Sequence, residues 1–466
     1  MQKKIKDTIL HPDQETIIAQ CTPKGSGAIA LLRMTGINAF TVATKLSKLS
    51  SGQNLSNMPS HTIQYGWVVD ANKKNIDQVL FLIMQAPKTF TGQDTVEITC
   101  HNNPFIIQDI INIAITHGAR VAKPGEFTKR AFLSNKLDLV QAEAINELIH
   151  AQTQMALKSS LSQLEGSLSD WATKLEKELV RALALSEASF EFIDEEHMEF
   201  GKQIQGILKA VIKNITTAKK TFDQQTQIRQ GIRIAIIGSV NAGKSSLFNT
   251  LLNQKRAIVT SIAGTTRDSI EAGITQESNF ITLVDTAGLR QTDNIIEQEG
   301  IKRSIDEAKK ADLIILIYDG SKKISKEKRK VYTDIIKSSK EKIILVRNKA
   351  DISSSTKNQL SPLQEIAVST ISNKNIDKLE QIIQNKTTKL FASIESPFLL
   401  NKRQYNLILS LEKKLKDIRP MLTEPIEYEI VSYHLKDTLE AFSEFSGKTI
   451  SEKGLDAIFK EFCIGK

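Results

Sequence analysis

The stretch GSVNAGKS, Gly238 to Ser245, fits the pattern GxxxxGK[ST]. Such a loop turns its backbone N–H groups inward on a phosphate, and the helix that follows adds its positive end. Asn241, Ala242, Gly243, Lys244, Ser245 and Ser246 would wrap the phosphates. Lys244 would reach the β and γ groups, and Ser245 would supply a magnesium ligand. A second GK-Thr, in SGKT at 446–449, is rejected because Phe442 stands where the first glycine must be.

Three further motifs follow the loop in order. GTTRD carries Thr266, which can bind magnesium and sense the γ-phosphate. DTAG, made of Asp285, Thr286, Ala287 and Gly288, ends an apolar run where a carboxylate can hold magnesium through water. NKAD begins with Asn348 and Lys349, and its Asp351 can accept both N–H donors of a guanine edge, a pair adenine lacks. AVST then places Ser369 where backbone groups can support the base. Four ordered motifs at strand ends describe a guanine-nucleotide site rather than a degenerate nucleotide fold. The glutamine that orients water after DxxG in many such enzymes is absent, and Leu289 occupies its place.

The surrounding elements fall into three textures. Residues 1–130 mix short β-rich runs (TIIAQ, AIALLRM, VLFLIM, TVEITC) with one helix-like stretch, FIIQDIINIAITHG, and read as an α+β domain. Residues 131–230 read as helical. Leu157, Leu161, Leu164, Leu168, Trp171, Leu175, Leu179 and Leu183 recur at spacings of three and four, which puts them on one helix face as core. Residues 231–388 alternate apolar runs (IRIAIIG, FITLVDTAG, DLIILIYDG, KIILVRNKAD) with helical sequence, the pattern of a parallel sheet covered on both faces. Residues 389–466 are helical again. The arrangement is a helical domain interrupted by an inserted α/β domain.

With 466 residues the chain suits about three domains. Its 62 Lys and Arg against 53 Asp and Glu leave a formal charge of +9, which favours phosphate-bearing partners such as nucleic acid. The densest basic stretch, KKISKEKRK at 322–330, reads as a solvated face. Three distant cysteines, Cys21, Cys100 and Cys463, make neither a zinc site nor a disulfide framework, so a reducing, cytoplasmic compartment is expected. The first residues have no apolar core for a secretory signal, and LIILIY is too short to span a membrane.

These motifs, with ETIIAQCTPKGSGAIALLRMTG, KPGEFTKRAFLSNKLDLVQAEAINELI and the terminal FCIGK, make the chain resemble the MnmE/TrmE family of tRNA-modification GTPases. The resemblance covers nearly everything after the first dozen residues. It implies an N-terminal folate-binding and dimerisation domain, a discontinuous helical domain and an inserted G domain with a Ras-like parallel sheet. It implies a homodimer that joins an FAD-dependent MnmG-type partner in a heterotetramer. Together they would add a carboxymethylaminomethyl or aminomethyl group to carbon 5 of the wobble uridine of certain tRNAs. A tetrahydrofolate derivative, 5-formyl or methylene, would supply the carbon, and FAD would reside on the partner alone.

By the same resemblance, potassium would be bound by Asn241 of the phosphate loop together with Thr260, Ile262 and Thr265, the last three within a nucleotide-contacting loop that also holds Ser261, Ala263, Gly264 and Thr266. Glu297 would orient the attacking water in place of Leu289. Folate would be held by Arg33, Glu97, Lys136 and Lys466, a carboxylate pairing with the pterin edge and cations with the glutamate tail. The family's His-Gly-Gly-Pro is here His101-Asn102-Asn103-Pro104, and asparagine is the next best residue for a left-handed turn.

Cys463 lies four residues from the end. Gly465 and Lys466 do not suit prenylation. The preceding GLDAIFKEF can form an amphipathic helix that anchors the tail, and the resemblance implies that the tail turns toward the folate site, so Cys463 is expected beside the one-carbon donor with a part in catalysis. Two other classes compete. An RNA- or ribosome-associated regulatory GTPase leaves the folate-like N-terminus and the tail unexplained. A dynamin-like mechanical GTPase would call for membrane-binding segments, which the sequence does not show.

Overall fold

The computed structural model describes residues 14–189, 200–220, 222, 225–254, 270–276, 279–285, 306–352, 360, 363–392 and 398–465. The chain divides into two compact units. One comprises Met1–Asn146, Gln163–Val211 and Lys413–Lys466, and the other Glu147–Ser162 and Ile212–Glu412.

The first unit contains a seven-stranded sheet. Its strands are β1 (Ile17–Gln20), β2 (Ile29–Thr35), β3 (Ser47–Leu49), β4 (Thr62–Val69), β5 (Asn75–Met84), β6 (Thr95–His101) and β7 (Arg120–Val121), in the order β3-β4-β5-β6-β2-β1-β7. All pairs are antiparallel except β1 with β7. Alternation along the strands gives the sheet two unlike faces. One face buries Leu32, Met34, Phe81, Ile83, Val96 and Ile98 in a core with Val42, Leu46, Ile110 and Ala114 of the helices Ala39–Leu46 and Pro104–Thr116. The other leaves Ile29, Ile63, Tyr65 and Leu80 between 40% and 63% exposed.

The turn expected to be left-handed is built differently. Neither Asn102 nor Asn103 has a positive φ. Asn103, at φ −115°, caps the helix Pro104–Thr116 by accepting from the Phe105 N–H. Asn102 Nδ2 donates to Gly25 O at 2.8 Å. The asparagines therefore act through their side chains, satisfying a helix-end donor and tethering a neighbouring loop.

The leucine stripe also departs from expectation. It is not one helix face, because a helix at Gln154–Leu164 ends before a second starts at Ser167–Ala188, with Gly166 at φ +110° between them. Leu168, Leu175 and Leu179 are buried, whereas Leu157 and Leu161 are 40% and 47% exposed. The break shifts the helical phase, so a uniform spacing no longer means a common face. Trp171 of the second helix packs tilted on Phe445 of the helix Tyr428–Ser446, and Ser432 Oγ donates to Ser186 Oγ at 2.8 Å. That helix ends on Gly447 at φ +86°, so the rejected SGKT is a helix cap.

The second unit holds a six-stranded sheet of β8 (Ile232–Gly238), β9 (Ile270–Gln276), β10 (Asn279–Asp285), β11 (Leu313–Asp319), β12 (Ile343–Asn348) and β13 (Glu365–Ala367), ordered β13-β12-β11-β8-β10-β9. Five strands run parallel, as the doubly apolar runs imply, and β9 is an antiparallel edge. Leu313 through Tyr318 are all buried. Alternate residues feed two cores, Ile315 and Ile317 on one side and Ile314 and Leu316 on the other. Among the described residues no helix is long and apolar enough to cross a membrane.

Candidate functional site: a phosphate loop and an N-terminal ion pair

β8 delivers the chain to Gly238, and a helix starts at Lys244 and runs to Gln254. Between them Asn241 takes φ +64° and Gly243 φ +94°. Gly243 is required: a Cβ there would stand 2.1 Å from Asn348 Nδ2. That amide instead donates to Ala242 O at 2.9 Å, so NKAD, at the end of β12 two strands from β8, props the loop. Lys244 Nζ donates to Gly238 O at 2.8 Å and to Ser239 O at 3.0 Å. Burial pulls the lysine below its usual value, opposed by Asp285. Its third donor remains for a phosphate oxygen. Ser245 Oγ donates to Asp285 Oδ2 at 2.7 Å, which joins the loop to DTAG. A hydroxyl and a carboxylate so placed offer the hard oxygens magnesium prefers. Ser246 is exposed on the first helical turn.

The base-recognition motifs also converge. The Ala350 N–H donates to Val368 O at 2.9 Å, which fastens NKAD to AVST. Asp351 is exposed, and Ser369 is buried with its Oγ accepting from the Ser372 N–H. Lys349, at φ +63°, pairs with Asp319 at 2.7 Å. Burial would raise the Asp319 carboxyl, but Lys349 and Ser321 hold it below the usual carboxylate range. Thr260 to Thr266, Thr286, Ala287, Gly288 and Glu297 lie outside the described residues.

The second site lies on the partly exposed face of the first unit's sheet. Arg33 and Glu97 are cross-strand partners on β2 and β6, and Arg33 Nε donates to Glu97 Oε1 at 2.7 Å. The Arg33 guanidinium stands 5.5 Å from the Phe90 ring centre and 5.7 Å from that of Phe127, within cation–π range of both. Phe90 belongs to the β5–β6 connection and Phe127 to the helix Glu126–Leu133. Buried Arg130 ties these segments together, donating to Gln93 Oε1, Glu126 Oε1 and Glu15 O at 2.6–2.9 Å. Burial would raise Glu126, but Arg120, the Lys123 N–H and Arg130 bring it down to about 2. Lys136, just after the helix Glu126–Leu133, is exposed, its Cε 3.5 Å from where a Cβ on Gly92 of the β5–β6 connection would lie.

The chain's end reaches this unit. The helix Glu452–Phe459 buries Leu455 and Phe459, which join Phe462 against Leu139 and Ala142. The Gly125 N–H then donates to Cys463 O at 3.2 Å, and Cys21 Sγ donates to Gly465 O at 3.0 Å. Gly465 has φ +92°, and a Cβ there would lie 2.5 Å from Gln20 O. Gln20 and Cys21 follow Ala19, the register partner of Arg33. The Cys463 residue is exposed, and Lys466 lies outside the described residues. Sequence reasoning singled out neither Phe90, Phe127, Arg130 nor Cys21 as part of this neighbourhood. No spacing rule links them, because they meet only through the fold.

Comparison with known proteins gives a consistent result. A family model described as the MnmE helical domain matches residues 139–463, and one described as the GTP-binding protein TrmE N-terminus matches residues 16–136. The chain is 34% identical over 459 residues to the tRNA modification GTPase MnmE of Thermotoga petrophila, covering 97% of this chain and 100% of that relative. It is 37% identical over 464 residues to the protein of the same name from Bacillus licheniformis, covering 97% and 100%. The Streptococcus pneumoniae relative is 36% identical over 463 residues, covering 97% and 99%.

Proposed function

The chain belongs to the MnmE family, as a GTP hydrolase that acts in tRNA modification, and from that premise we propose a folate-dependent, potassium-activated form of the reaction. With an MnmG-type FAD partner it adds a carboxymethylaminomethyl or aminomethyl group to carbon 5 of the wobble uridine. The fold class read from the sequence holds: an N-terminal α+β domain, a helical domain and an inserted G domain. The division at 130, 230 and 388 is part of the proposal.

At the nucleotide, loop N–H groups from Asn241 to Ser246 bind phosphate, and Lys244 carries charge to the β and γ groups. Ser245 and Asp285 would hold magnesium, which offsets charge developing on the phosphate oxygens. Asp351, braced with AVST, reads guanine. Potassium is assigned to Asn241 with Thr260, Ile262 and Thr265, and water orientation to Glu297. Turnover in potassium should exceed turnover in sodium at equal ionic strength, and equal rates would remove the potassium assignment.

The observation that carries the folate reading is the Arg33–Glu97 pair set beside two aromatic rings, with the Cys463 tail fastened next to its strand. A carboxylate and flat apolar walls suit a pterin, and Arg33, Lys136 and Lys466 suit its anionic tail. Cys463 is assigned a chemical part in the modification. The same sheet face leaves Ile29, Ile63, Tyr65 and Leu80 exposed, which fits coverage by a second copy of the chain. The proposed compartment is the cytoplasm. Titration with 5-formyltetrahydrofolate tests the reading. Wild type should bind and Glu97→Ala should not, and equal behaviour of the two would overturn it.

A further inference from the structure

Tyr332 lies in the helix Lys326–Ser339, outside every sequence motif of the nucleotide site. Its ring is buried in the core formed by Ile237, Leu316, Ile335 and Ile336. Its hydroxyl accepts from the Ser239 N–H at 2.7 Å. That N–H belongs to the peptide joining Gly238 to Ser239. The carbonyl of the same peptide, Gly238 O, accepts from Lys244 Nζ at 2.8 Å.

A peptide unit is planar, with its N–H and C=O pointing opposite ways. Fixing one end therefore fixes the direction of the other. We infer that Tyr332 is a positioning residue for GTP hydrolysis: its hydroxyl holds the Gly238–Ser239 peptide so that the carbonyl aims the Lys244 ammonium at the phosphates. The tyrosine touches no phosphate and acts through the lysine.

The helix suits the task. Tyr332, Ile335 and Ile336 share its buried face, so the ring is locked by packing on the residues that flank β8. Without the hydroxyl the Ser239 N–H loses its partner and the peptide is free to tilt. Lys244 Nζ would then lose one of its two carbonyl anchors. An interaction that must be accurately placed in the transition state affects turnover more than ground-state binding.

Tyr332→Phe keeps the ring and removes only the hydroxyl. The expected result is a fall in kcat of about fivefold, the scale of one hydrogen bond, with KM for GTP within about twofold of wild type. Ile335→Val serves as the packing control, since it thins the same core without touching the loop. Its kcat should equal that of wild type, and the melting temperature of Tyr332→Phe should fall no further than that of the control. An unchanged kcat in Tyr332→Phe overturns the inference. So does a fall in kcat matched by Ile335→Val, or a rise in KM as large as the fall in kcat.

Discussion

The two sites are assembled on opposite principles. The phosphate loop is local: its cradle runs from Gly238 to Ser245, and strands carrying DTAG and NKAD prop it from either side of β8 in the sheet order. The N-terminal site is remote in every direction. Arg33 and Glu97 are 64 residues apart, and the contact between Cys21 and Gly465 closes a separation of 444. A contiguous cradle takes its shape mainly from its own backbone, and distant residues such as Asn348 and Tyr332 only brace it. A remote site depends on each segment that brings its parts together, so mutations far from its ligand-facing groups should damage it.

The sharpest separation comes from Lys244→Ala. GTP turnover should fall by about a hundredfold or more, the scale for removing a preorganised cation or donor from a developing charge. Affinity for 5-formyltetrahydrofolate should be unchanged. A parallel loss of folate binding would break the distinction between the sites.

Arg130→Met should show how far the remote site relies on buried polar struts. Removing one partner of a buried charged network costs about 3–5 kcal/mol, read as a lower denaturant midpoint. The same network predicts acid sensitivity. Glu126 sits at about 2 when folded against an ordinary 4.5, so its stabilisation is full above about pH 4.5 and is lost as pH falls towards 2. The gap is worth ~3 kcal/mol and should be absent from Glu126→Gln, measured by unfolding across that range.

Gly465→Ala tests the tail alone. A side chain there meets Gln20 O and strains a positive φ, so the tail should detach. Wobble-uridine modification, followed by mass spectrometry of tRNA, should drop about tenfold, a cost near 1.4 kcal/mol, while GTP hydrolysis persists. Equal loss of both activities would mean that the tail serves the nucleotide site too.

Asn102→Gly should be mildest. It removes the bond to Gly25 O and leaves the Asn103 cap in place. The expected loss is about 0.5–1 kcal/mol of stability, measured by thermal unfolding, with nucleotide turnover unaffected.

The sequence alone determined the order of the textures, the parallel strands from 232 onward and the nucleotide motifs with their residue roles as expectations. The physical reason is that these signals are short-range. Strand burial shows in apolar runs, and a phosphate loop is a backbone shape set by neighbouring residues such as Gly243. Where interactions between distant segments decide, the sequence was silent or misleading. Even spacing from Leu157 to Leu183 concealed a break at Gly166, and Asn102 and Asn103 work through side-chain bonds rather than through a left-handed turn. Only tertiary structure set Phe90 and Phe127 beside Arg33, closed the Gln93–Arg130–Glu126 strut and brought Gly465 against Cys21. It alone put the Tyr332 hydroxyl on the phosphate loop, because a buried ring 93 residues from its partner carries no mark in the sequence to distinguish it from ordinary core.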